Sequence, residues 1–402
     1  MESWRRNLYI LMVAQFMVMG AMTMIVPFLP LYLVEMGMTD PDQTQLWAGL
    51  IFGINFLSAF IMAPIWGTMA DKYGRKIMVL RSGFGMGIVI FLTGLATSPI
   101  HLFLLRFLNG VISGFIPAAT ALVAAITPKE KSGYALGLLQ SGAVAGSITG
   151  PFIGGALAEL IGFRMIFFVT SFFVILATLV VLFAIREEVK PNPIAKENKG
   201  LLEGASIILK ERPLLLLFSV GFILQFAMVG PMPQMSLFVS QLGAPGGYVA
   251  FFAGLVTAIT GIANMTASPL LGRLGDRFSY QHVLFFAMLG AALFYIPHAF
   301  VTSIWQLLLL RFLLGLCVGG LLPSLNALVR HKAPAGMLST VFGYSTSATF
   351  LGNMLGPITS GFLSGFIGIR GLFITAGLLL ILGALWLRYG LKISKNRKEA
   401  TA

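Results

Sequence analysis

Apolar residues in this chain run in long unbroken stretches rather than in the narrow stripes of a water-soluble fold. Polar residues are sparse from Leu8 to Val34. They are sparse again near 46 to 69, 77 to 97, 100 to 126, 134 to 158, 163 to 185, 213 to 238, 248 to 271, 281 to 301, 303 to 329, 337 to 364 and 368 to 389. Each stretch is close to the roughly 20 residues a helix needs to cross a bilayer. Hydrocarbon offers no water to satisfy backbone groups, so the pattern predicts twelve transmembrane helices and an all-α membrane protein. The first stretch is too long for a signal-peptide core and lacks a small-residue cleavage pattern, so it is read as a span.

Composition sharpens this. The 402 residues are 57% hydrophobic and 10% charged, against about a quarter charged in soluble domains. A soluble enzyme, a nucleic-acid binder and a secreted disulfide scaffold are excluded. The net charge of +13 then reports orientation and lipid headgroups, with the bilayer itself as partner. Of the 27 Lys and Arg residues, only Arg164 and Arg370 fall on one set of alternate connections, and Arg106 and Arg311 lie inside spans, Arg81 and Arg388 at span ends belonging with the connections they adjoin. The rest share the other side, which places both termini in the cytoplasm of a multi-pass plasma or inner membrane protein. The single cysteine, Cys317, permits no intrachain disulfide.

The longest connection, 186–212, has mixed charge and contains Pro191 and Pro193. It divides an N-terminal six-helix half (1–185) from a C-terminal one (213–389), with a basic tail at 390–402. Within it, Leu201, Leu202, Ala205, Ile208 and Leu209 share a helical face, which suits either a helix lying on the cytoplasmic surface or an ordinary solvated linker helix.

A shift of 205 or 206 residues superimposes the halves. Pro64 matches Pro269, Gly67 matches Gly272 and Asp71 matches Asp276; Arg106 and Gly110 match Arg311 and Gly315; Gly150-Pro151 matches Gly356-Pro357; Gly162-Phe-Arg164 matches Gly368-Ile-Arg370. Two pseudo-symmetric halves related by a parallel repeat are the architecture of a rocking transporter with its site between them.

The segment Gly67-Thr-Met-Ala-Asp71-Lys72-Tyr-Gly74-Arg75-Lys76 resembles the signature between spans 2 and 3 of the major facilitator superfamily, and Arg106-Phe-Leu-Asn-Gly110 is similar to its span-4 motif. Gly142, Gly146, Gly150-Pro151 and Gly154-Gly155 resemble the antiporter motif of its twelve-helix drug/proton antiporters. The phrases VPFLPLYL (26–33), FGYSTS (342–347) and GNMLGP (352–357) resemble the MdtG-like branch of multidrug efflux proteins most closely. The resemblance covers essentially the whole chain. It implies the major facilitator fold, no cofactor, and export of small amphipathic molecules by alternating access in exchange for protons, the chain acting as a monomer. A lipid or glycolipid flippase on the same fold is the alternative.

Residue roles follow partly from physics and partly from that resemblance. A carboxylate near a helix N-terminus gains about 0.3 to 2 kcal/mol. The resemblance makes Asp71 a conformational latch on the cytoplasmic side, with Gly67, Lys72, Gly74, Arg75 and Lys76 around it; the cations alone would equally serve as positive-inside anchors. Asp276 is kept in the second half without the Gly-Arg pair, so the latch is asymmetric. Arg106 and Arg311 lie near the start of apolar spans, where a charge costs roughly 3 kcal/mol unless partnered. Each either snorkels to nearby headgroups or serves coupling, the latter implied by resemblance for Arg106.

Small residues recur every four positions at Gly142, Gly146, Gly150 and Gly154, and again at Ala348, Gly352, Gly356 and Ser360. That spacing lets helix backbones touch, while Pro151 and Pro357 remove a helix hydrogen bond and bend the axis.

None of the 14 acids falls at a span centre, which favours neutral, zwitterionic or anionic amphiphiles over cations. A proton site is then Asp71, Glu35 or one of the peripheral histidines such as His298. Polar, Met and aromatic positions nominated for the substrate cavity are Gln15, Met19, Met22, Asn55, Gln140, Gln225, Met228, Gln234, Asn264, Asn326, Tyr344 and Asn353, adaptable side chains that suit varied ligands. No constellation of acids, metal ligands or nucleophile and base suggests an enzyme or a metal site.

Overall fold

The computed structural model describes residues 3–128, 132–185, 211–334 and 338–400. The expected linker helix at 201–210 lies outside them, as do the side chains of Pro64, Gly67, Asp71 and Lys72. All regular structure among the described residues is helical.

The helices are α1 Ser3–Met24, α2 Leu29–Glu35, α3 Pro41–Tyr73, α4 Arg75–Gly94, α5 Pro99–Ile112, α6 Phe115–Ile126, α7 Ser132–Ile161 and α8 Phe163–Ala184. There follow α9 Arg212–Val229, α10 Met235–Gln241, α11 Val249–Arg277, α12 Tyr280–Tyr295, α13 Ile304–Val318, α14 Leu321–Lys332 and α15 Leu338–Ala400. Eleven helical segments among the described residues are long and apolar enough to cross a membrane. The last of them, Val341–Gly390, holds two spans, because Gly368 sits inside α15 at φ 69° and turns the chain. The described residues thus hold the twelve expected spans.

Four predicted spans are interrupted. The first breaks at a 3-10 turn, Val26–Phe28, where Pro27 has no N–H to donate. The fourth breaks after Ile112, where Gly114 takes φ 134°, a conformation open to glycine. The seventh breaks at 230–234, between α9 and α10, and the tenth at Gly319-Gly320, between α13 and α14.

The described residues pack as two compact units, one drawn from 1–195 and 235–258, the other from 196–234 and 259–402. The first ten residues of α11 thus pack with the first unit and the remainder with the second. In the first unit Leu8, Leu11, Phe28, Tyr32, Phe115 and Phe167 form a core shielded from solvent. Phe28 stacks on Phe163 with centroids 5.5 Å apart, and Tyr32 meets Phe167 at 5.1 Å.

Candidate functional site

The turn between α3 and α4 is a single residue, Gly74, at φ 101°. Just beyond it, the Lys76 ammonium donates to the carbonyls of Leu182 (2.9 Å) and Ile185 (2.6 Å). These carbonyls end α8 and have no partner within their own helix. A cation there also opposes the negative end of the helix dipole. Lys76 therefore ties the span-2/3 turn to the end of span 6.

One turn further along α4, the Arg81 guanidinium lies 3.5 Å from the centroid of the Trp66 ring. Both side chains reach the break in span 4. The Trp66 indole donates to the Val111 carbonyl at 2.6 Å, and Arg81 Nη2 donates to the Ser113 carbonyl at 3.3 Å. Carbonyls freed where the helix breaks are thus satisfied by side chains of spans 2 and 3. In the sequence Arg81 is only one more cation of a basic connection; its partners stand 15 and 32 positions away, beyond any local motif.

Arg106 and Arg311 sit at equal depth, each about two turns into its helix, α5 or α13. Four residues on, Gly110 presses against the Asn55 carbonyl and the Ser58 side chain of α3, and Gly315 against the Thr260 carbonyl and Ala263 of α11. These seats are themselves 205 residues apart, so the two halves repeat the same helix crossing. Between Arg106 and Gly110, the buried Asn109 donates Nδ2–H to Asn55 Oδ1 at 3.0 Å.

The two arginines differ in surroundings. Arg106 is half-buried, with no hydrogen bond to a described residue. Arg311 is only 6% exposed and lies 5.7 Å from the centroid of the Tyr295 ring. Tyr295, His298 and Phe373 are fully buried around it, their centroids 5.4 to 5.9 Å apart. His298, expected at the periphery, is instead enclosed; its Nδ1 is 2.7 Å from the Phe294 carbonyl. Its position after an apolar run hides that, because the 3-10 turn Ile296–Phe300 folds it back into the core.

The small-residue stripe of α7 lies along α1. Cβ atoms at Gly142, Gly146, Gly150 and Gly154 would collide with backbone or near-backbone atoms of Met12, Phe16, Gly20, Thr23 and Met24. In the second unit Gly352 and Gly356 of α15 abut Phe222 and Phe226 of α9 in the same way. On its other side α7 meets α11: Gly155 faces the Ala250 carbonyl, and Gly254 faces the Pro151 carbonyl. Phe152 and Phe251 pack at 5.6 Å.

At the end of this contact Glu159 Oε1 accepts from the N–H groups of Ala250 (2.8 Å) and Phe251 (3.4 Å). These amides lie in the first turn of α11, where no carbonyl of the helix can accept them, so Glu159 caps that helix. In the sequence Glu159 marks only a span end; its partner lies 91 residues away.

Of the other acids, Glu35 ends α2, exposed, and Asp276 accepts a hydrogen bond from Tyr280 on the next helix. The cavity nominees scatter. Gln15 is fully buried in the first unit, and neither of its amide atoms has a hydrogen-bond partner among the described residues. Met19 and Met22 are half-buried on the same helix, Asn55 is held by Asn109, and Gln140 is exposed. In the second unit Gln225 packs beside Gly352, the Met228 carbonyl lies 3.5 Å from the Tyr295 hydroxyl, and the Asn264 carbonyl abuts Gly319. Gln234 and Asn353 are buried, Tyr344 half-buried and Asn326 exposed.

The profile described as Major Facilitator Superfamily matches residues 11–255 and 247–401. The multidrug resistance protein MdtG of Enterobacter lignolyticus is 39% identical over all of this chain and 94% of its own length. That of Dickeya zeae is 37% identical over 98% of this chain and 97% of its own. Among solved structures, a bacterial homologue of the human lysosomal transporter Spinster superposes with a TM-score of 0.81 at 16% identity, covering 97% of each chain; at that identity it speaks to fold alone. With its duplicated helix crossings, its twelve spans and full-length relatives, the chain belongs to the major facilitator superfamily.

Proposed function

We propose that this transporter exports small amphipathic molecules in exchange for inward-moving protons, acting as a monomer with both termini in the cytoplasm. The observation that carries the reading is the duplicated seat of the intramembrane arginines, Gly110 on Asn55 and Gly315 on Thr260. A repeated, rigid crossing in each half is what alternating access requires, since each half must move as a body while the contacts at either rim break and re-form. The full-length resemblance to multidrug resistance proteins supports the substrate class.

Glu159 is assigned the rim contact on the face opposite the basic connections: its carboxylate holds the start of α11 and releases it when that face opens. Asp71, with Lys72, Arg75 and Lys76, is assigned the latch on the basic face, Gly67 and Gly74 allowing the close turn. Arg106 and Arg311 put positive charge into the membrane with no acid at a span centre, which favours neutral, zwitterionic or anionic cargo over cations. Coupling is assigned to Arg106, with Asp71, Glu35 and Arg311 as the remaining titratable or charged groups on the path.

The test is overexpression in an efflux-deficient host across a chemically broad toxin panel, repeated on the hits with the proton gradient collapsed. Raised resistance that vanishes with the gradient is expected. Asp71→Asn should lose resistance while the protein remains in the membrane, and Arg106→Ala should abolish coupled transport, so that resistance is lost although the amount of folded protein is unchanged. Resistance that persists without a gradient would remove the proton from the account.

A further inference from the structure

The pseudo-repeat places a cavity in one half where the other half has side chains of its own. A Cβ at Gly85 would meet Ile112, and a Cβ at Gly290 would meet Cys317. Each member of the second pair lies 205 residues after its counterpart, which fixes the register of spans 3 and 9 against spans 4 and 10. In the first half the space beside this contact holds the Trp66 indole, on the Val111 carbonyl, with the Arg81 guanidinium stacked over it. The counterparts of Trp66, Arg81 and Val111 are Leu271, Phe286 and Leu316. All three line a cavity of about 720 Å³, together with Leu274, Ala287 and Cys317. The volume is within the usual range of ligand pockets.

The cavity is open and apolar. Phe286 is 63% exposed and Phe278, at the mouth, 70%; in a membrane protein this flank meets hydrocarbon rather than water. The mouth is basic. The Arg277 guanidinium lies 5.5 Å from the centroid of the Phe278 ring, Arg273 stands exposed one turn earlier, and His282 lines the entrance. Asp276, the acid nearest these cations in sequence, accepts the Tyr280 hydroxyl. The Tyr280 ring lies 5.9 Å from His331, a further exposed residue in the basic last turn of α14.

We propose that this groove between spans 8, 9 and 10 is a binding site for an anionic phospholipid of the leaflet adjoining the basic connections. One acyl chain takes the space that Trp66 and Arg81 occupy in the other half, and the phosphate meets Arg277 and Arg273. An apolar recess with cations at the headgroup level has the complementary chemistry for such a lipid.

The chain carries its own reporter, because Cys317 is its only cysteine, lines the groove and is half-buried. The experiment follows alkylation of Cys317 by N-ethylmaleimide in the full-length protein, purified and stripped of lipid in detergent. Rates are compared without lipid, with phosphatidylglycerol and with phosphatidylcholine. Phosphatidylglycerol should slow the reaction more than phosphatidylcholine at equal concentration, by about fivefold for each arginine engaged. In the Arg273→Gln, Arg277→Gln double variant, altered only at exposed positions, the two lipids should protect equally. Leu271→Trp, which restores the first half's residue, should slow alkylation without lipid and remove the lipid dependence. Equal protection by both lipids in the unaltered protein would overturn the proposal, as would a rate indifferent to lipid. A double variant that keeps the full preference for phosphatidylglycerol would overturn the assignment of the arginines.

Discussion

Removing the Glu159 side chain frees the amides of Ala250 and Phe251 at the start of α11. Glu159 is exposed, so the charge–dipole interaction is worth about 0.3 to 1 kcal/mol, and its loss shifts an opening equilibrium by up to about fivefold. With Ala250→Cys as a reporter on a Cys317→Ser background, Glu159→Ala should raise alkylation at the buried position 250 by up to that factor. Glu159→Gln should fall between, since an amide oxygen still accepts. An unchanged rate in Glu159→Ala would remove the cap from the mechanism. Arg81→Ala loses both the stack on Trp66 and the bond to Ser113, about 1 to 2 kcal/mol together. The thermal unfolding temperature in detergent should fall by a few degrees, and by less in Arg81→Lys, which keeps the charge; an equally stable Arg81→Ala would show the span-4 break needs no such support. Neither residue stands out in the sequence, because the partners are set by helix packing and lie outside any contiguous motif.

Several helix pairs meet here backbone to backbone at glycine. Gly146 stands against the Phe16 carbonyl and the Gly20 amide of α1, while Gly137 on the same helix has open space around it. Gly146→Val should therefore yield little monodisperse protein on size exclusion. Gly137→Ala should be tolerated, and its helix propensity favours the folded state by up to about 1 kcal/mol. Comparable behaviour of the two variants would contradict the packing. The four-residue spacing of small residues is legible in the sequence as a close-contact stripe, but spacing does not say which helix it touches. That α7 serves α1 with one edge and α11 with the next, through Gly155, needs the fold. Span breaks are less legible still. Glycine and proline are common in membrane helices, so Gly114 and Pro27 do not mark an interruption, and the apolar stretches around them read as single helices.

For the molecule as a whole, hydropathy and repeat carry most of the information. Twelve apolar stretches and a 205-residue shift are enough for the fold class, because a bilayer leaves a chain few ways to satisfy its backbone. The environment of the charges is not recoverable in that way: nothing local distinguishes the half-buried Arg106 from Arg311, enclosed by Tyr295, His298 and Phe373. The central claim, that cargo leaves in exchange for protons, is most directly tested in proteoliposomes holding the purified protein. A compound from the resistance panel is followed against an imposed pH difference, while a dye reports internal pH. Uphill movement of the compound, with protons flowing the other way and both fluxes lost in Asp71→Asn, is the predicted result. Movement of the compound at the same rate with no pH difference, and no proton flux when it moves, would contradict the account.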